Sequence, residues 1–134
     1  MSHAFIFMRF VNGESCAINT AGLLELATQH GFISHGLTEG ANDLLCASEP
    51  NLIGDLFVYV RNGEVREVAI DRPRYQDQTR QFCYALLSKL GLVMFFDNGS
   101  CLMAGRQAGE NLPSGFADHF TTANTNVTGE EQLP

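Results

Sequence analysis

Three Asn-Gly pairs constrain this chain more than any other feature: Asn12-Gly13 in FVNGESCAI, Asn62-Gly63 in YVRNGEVREVAI and Asn98-Gly99 in FFDNGSCLMA. Each stands between two apolar, β-type runs. A two-residue type I′ turn needs φ > 0 at both central positions, which Asn and Gly tolerate, and its twist matches that of the strands it joins. The three pairs therefore predict three β-hairpins.

Two helical patterns lie between them. In NTAGLLELATQHG, Asn19 or Thr20 can accept an amide hydrogen bond as N-cap, and Gly31 suits the left-handed position past the end. Leu23, Leu26, Ala27 and His30 share one face at helical spacing. Residues 76–90, QDQTRQFCYALLSKL, carry a stripe of Phe82, Cys83, Leu86, Leu87 and Leu90. Asp77 favours the first turn and Lys89 the last, and Gly91 ends the helix. In EVREVAI, Val65 is out of phase with Val68 and Ile70, and a β-bulge at Arg66-Glu67 restores the phase.

The element order is then ββα-ββα-ββ. Its economical solution is an α+β fold, a mostly antiparallel sheet of about five to six strands with both helices on one face. Residues 1–120 form the single domain on this reading, and TTANTNVTGEEQLP, 121–134, reads as a disordered C-terminal tail. Residues 33–55 are the least regular interior part, broken by Gly36, Gly40, Pro50 and Gly54, with a short helical turn expected at 41–46 and Thr38 as its cap. A connection of that length is often functional. Phe116 and Phe120 are spaced i, i+4, as one turn of helix would place them.

Charge narrows the function. Fifteen acids against eight bases give −7. That argues against binding nucleic acid or an anionic membrane, which needs a basic face, and permits a basic partner. No stretch approaches the ~20 apolar residues of a membrane span, and no targeting segment is visible. The four cysteines form no C-x-x-C pair, so free thiols and a cytoplasmic setting are expected.

Motifs of catalysis are lacking. His30 and His35, with Asp43 and Cys46 downstream, are metal-ligand types, but the spacing is unspecific and Gly31 breaks the helix between them. No Gly-rich phosphate loop and no nucleophile motif is present. Neither a metal, a cofactor nor enzymatic activity is expected. The uneven feature is the 33–55 segment, which holds Glu39, Asp43, Glu49 and Asp55 and no base. With Leu44 as an apolar anchor, these residues make an acidic recognition surface for a positively charged partner.

In size, acidity and layout over residues 1–120 the chain resembles bacterial toxin-immunity proteins. The resemblance implies an inhibitor whose carboxylates occupy the basic active site of a cognate toxin, by steric and electrostatic occlusion. The alternative is a small-molecule-binding or small catalytic α/β domain. Its cleft would lie between the 33–55 and 106–115 segments, with His35, Asp43 and Arg106 as polar groups. Open edge strands would also allow two copies to pair as a homodimer.

Overall fold

The computed structural model describes residues 3–47 and 49–134. β1 (Ala4–Val11) and β2 (Glu14–Cys16) close on Asn12-Gly13, with φ of 51° and 81°. β5 (Asp55–Arg61) and β6 (Glu64–Asp71) close on Asn62-Gly63, with φ of 54° and 76°. Both are the two-residue turns the sequence predicts.

The third pair joins its strands differently. Between β7 (Val93–Phe96) and β8 (Cys101–Ala104), only Gly99 has positive φ, 77°. Its N–H donates to the Phe96 carbonyl at 3.0 Å, while the Asn98 side chain accepts from the Ser100 N–H. Asp97 and Ser100 lengthen this loop to four residues, so Asn98 turns the chain through its side chain instead of through φ > 0.

The helices fall where the sequence puts them. α1 (Thr20–Gln29) is capped by the Asn19 side chain, which accepts from the Gly22 N–H at 3.0 Å. α2 (Asp77–Leu90) ends on Gly91 in the left-handed region. The bulge is also present: Tyr59 pairs with Glu67 but Val60 with Val65, leaving Arg66 extra.

With β3 (Phe32–Ile33), β4 (Gly40–Cys46) and β9 (Thr122–Asn124), the strands form a nine-stranded sheet ordered β3-β4-β5-β6-β1-β7-β8-β9, with β2 paired to the far end of β1. Every pairing is antiparallel except β8 with β9. Phe5, Phe7, Leu56, Val58, Val68, Ile70 and Met94 face Leu23, Leu26, Phe82 and Leu86 of α1 and α2 in the main core. A smaller core on the opposite face joins Phe10, Val93, Leu102 and Ala104 to Phe116 and Phe120. It lies under α3 (Arg106–Glu110) and a 3-10 turn at Phe116–His119.

Two expectations are corrected. The helical turn expected at 41–46 is the strand β4: pairing with β5 satisfies its backbone and buries Leu44, and this outweighs a weak local preference. The run 121–134 is not a free tail. β9 pairs with β8, the Val127 N–H donates to the Ala104 carbonyl at 2.9 Å, and Val127 and Leu133 are buried in the main core. Two apolar side chains, three and nine residues past the end of β9, anchor a segment whose composition reads as disordered only because they are so few.

His30 lies at the end of α1 with its ring 5.1 Å from that of Phe82. Burial first, and then the Lys89 charge, hold its pKa below the ordinary imidazole value. The unfolded chain takes up this proton near pH ~6.5 and the folded chain only at lower pH. Stability from this group is therefore complete above that pH and is lost as the pH falls through it. Denaturation midpoints between pH 7.5 and 5 should fall more steeply for the native chain than for His30→Gln. Parallel curves would remove His30 from the account.

Candidate functional site

On β5 and β6 the residues that alternate with the core point the other way. Strand register sets Asp43, Phe57, Ala69 and Ile6 in one row across β4, β5, β6 and β1. Tyr59 pairs with Glu67 in the next row, and Asp55 with Asp71 in the row on the other side. Ile6, Phe57 and Tyr59 are half-buried and belong to neither core. At the edge, Ile33 pairs with Leu45, and both are exposed (42% and 51%). Elements 106–120 cover the sheet beside β1, β7 and β8, whereas the face over β4–β6 stays uncovered among the described residues. The result is an apolar strip set with four carboxylates, those of Asp43, Asp55, Glu67 and Asp71.

Their surroundings differ. Arg72 donates from Nε and Nη2 to Asp55 Oδ2 at 3.1 and 2.7 Å. Arg66, at the hairpin end, donates to the Ser15 carbonyl and hydroxyl and pairs with Glu64 at 3.5 Å. Asp43, Glu67 and Asp71 make no side-chain hydrogen bond or ion pair among the described residues. Burial raises the Glu67 pKa, so its charged form is held at a cost. Burial, with the Asp71 and Glu67 charges after it, likewise raises that of Tyr59. A face of unpaired carboxylates among apolar side chains suits a partner that brings cations and an apolar patch of its own.

The sequence-derived site residues scatter over this frame. Asp43 and Asp55 stand on the face. Leu44, expected as an anchor, is instead 3% exposed and packed in the main core, because β4 alternates and it is Leu45 that points outward. Glu39 has a structural duty: its Oε1 accepts from the Asn62 N–H at 2.6 Å and its Oε2 from the Gly63 N–H at 3.2 Å. Glu49 is exposed in the β4–β5 connection, off the strands that build the face. Sequence reasoning overlooked Phe57, Tyr59, Glu67 and Asp71, and it named Leu45 as a possible anchor but chose Leu44. Their signal was the alternation itself, since they interleave with Leu44, Leu56, Val58, Val68 and Ile70.

His35 and Arg106 do not share a cleft. His35 is exposed after β3 and Arg106 opens α3 after β8, strands six steps apart in the sheet order. At ~4.8 Å per step that is roughly 29 Å. Among the described residues no group of three His, Cys, Asp or Glu side chains could hold a metal ion, and Cys16, Cys83 and Cys101 are free thiols. No helix is long and apolar enough to cross a membrane.

The chain matches no protein-family model, no curated protein and no solved structure. Any functional reading therefore rests on the chemistry of the surface just described.

Proposed function

We propose that this chain is a non-catalytic binding protein that holds a basic protein partner on the open face of its sheet, acting as an immunity protein that occludes the cationic active site of a bacterial toxin. One observation carries the reading. The only large sheet face left bare among the described residues combines apolar side chains outside both cores with three carboxylates that have no protein partner. Lys or Arg side chains of the partner would supply the missing counter-charges. Phe57, Tyr59 and Leu45 would supply the apolar contact that gives affinity, while the carboxylates speed encounter and fix orientation.

The test uses the protein encoded beside this chain. Asp43→Lys with Asp71→Lys should weaken its binding at least about tenfold, mostly through the association rate, and flatten its salt dependence. Glu39 is left intact, because reversing its charge would damage the β5–β6 turn. An unchanged affinity, or no binding by the neighbour, overturns the reading.

Glu67→Gln separates surface function from folding. Removing a half-buried charge that lacks a partner should leave the melting temperature equal or higher, while partner affinity falls. The sign of its pH dependence follows: with Glu67 raised, protonation on acidification weakens binding in the native chain and not in Glu67→Gln. A variant that loses stability and binding together would assign Glu67 to the fold.

A further inference from the structure

A second surface, built by β1, α2 and α3, has the opposite charge. A cavity of about 530 Å³ lies between β1, the C-terminal end of α2 and α3, and Arg9, Phe10, Leu87, Leu90 and Arg106 line it. A neighbouring cavity of about 410 Å³ shares Arg9 and Leu90 and adds Lys89. Three of the eight bases in a chain with fifteen acids thus line these two adjoining cavities, Arg9 lining both, and no Asp or Glu lines either.

Arg9 is the centre of this arrangement. It is half-buried, and its Nη1 donates to the Cys16 Sγ at 3.2 Å and the Ala17 carbonyl at 3.3 Å. Both contacts are made by one nitrogen. The Nε and Nη2 edge has no protein acceptor among the described residues, and no carboxylate pairs with the guanidinium. Arg72 shows within the same molecule what that edge does when it has an acceptor: it grips Asp55 with both nitrogens. The negative end of α2 favours a cation at Lys89. Arg106 pairs with Glu110 at 3.5 Å on its exposed side, but neither that pair nor the helix end accounts for Arg9 on β1, a partly desolvated guanidinium with no counter-ion.

We propose that this groove binds a small organic phosphate monoester. A free guanidinium edge at Arg9 matches two phosphate oxygens in a bidentate fork, and Lys89 with Arg106, the latter shared with Glu110, adds the positive charge that favours a dianion. The cavity exceeds the size of a bare phosphate and falls within the range of small-ligand sites, and Phe10, Leu87 and Leu90 offer an apolar wall to an organic body. The site is separate from the open sheet face and does not depend on the partner reading.

Adenosine 5′-monophosphate, glucose 6-phosphate, inorganic phosphate and adenosine serve as probes, with thermal shift and amide chemical-shift changes as readouts on the full chain. The monoesters should bind with Kd below about 1 mM and raise the melting temperature, about tenfold more tightly than adenosine or inorganic phosphate. A monoester of only one of the two bodies binding would identify the source, nucleotide or sugar. Arg106→Gln should weaken binding about tenfold without disturbing the fold, because its side chain is 82% exposed. Arg9→Lys keeps the charge and stem but loses the fork, and should weaken it at least as much. Absence of binding by either monoester at several times that concentration, or unchanged affinity in both variants, overturns the proposal.

Discussion

Deleting residues 121–134 is expected to destabilise the chain by about 3–6 kcal/mol. Val127 and Leu133 are 6% and 5% exposed in the main core, and burying one such side chain is worth ~1.5–3 kcal/mol. The deletion also strips β9 from β8 and removes the acceptor at the Thr128 carbonyl to which the Tyr84 hydroxyl donates at 2.8 Å. Urea denaturation of the chain ending at 120 against the full chain measures the difference. Equal midpoints would show that this segment contributes nothing to the fold. The deletion reaches the groove as well. A Cβ built on Gly109 of α3 would lie 2.7 Å from the Thr125 Cβ, so this part of α3 rests directly on the lost segment. A truncated chain that stays folded should therefore bind phosphate monoesters more weakly.

Gly54→Ala is expected to cost about 2–6 kcal/mol, from two sources. Gly54 has φ of 138°, where a side chain costs ~1–3 kcal/mol. Its Cβ would also lie 2.8 Å from the Ile70 Cγ2 and 3.1 Å from the Asp71 and Arg72 carbonyl oxygens, and overpacking of this kind costs ~1–3 kcal/mol. The loop cannot easily give way, since the Asn51 side chain accepts from the Ile53 and Gly54 N–H groups and donates to the Gly54 carbonyl. Gly36→Ala is the control. Its φ is 99° with nothing within 4 Å of the added Cβ, so it carries the backbone cost alone. Equal losses in the two variants would show that the contact with Ile70 is immaterial. Because Gly54 precedes Asp55 and touches the backbone at Asp71, its substitution should also disturb two of the four carboxylates on the open face.

Much of the fold was legible because it rests on local chemistry. Asn12-Gly13 and Asn62-Gly63 specify their turns through φ alone. Asn19, Gly31 and Gly91 bound the helices, and the phase of Val65 against Val68 revealed the bulge at Arg66. The candidate site was legible in part. Asp43 and Asp55 could be singled out as acids in a segment without bases. Leu44 and Leu45 are adjacent and chemically alike, and only the pairing of β4 with β5 decides which one is buried. Likewise Glu39 looked like a free surface acid until the β5–β6 turn came within reach of its carboxylate.

By itself, then, the sequence determined the α+β class, the first two hairpins and both long helices, since each depends on residues close together in the chain, and the net charge of −7 follows from composition alone. Tertiary structure alone decided that 40–46 is a strand, that 121–134 closes the core, which carboxylates share a bare face, and that Arg9 lines one cavity with Arg106 and an adjoining one with Lys89. Those outcomes arise from pairing and packing between residues tens of positions apart, where the gain from burying apolar surface and satisfying backbone groups outweighs local preference.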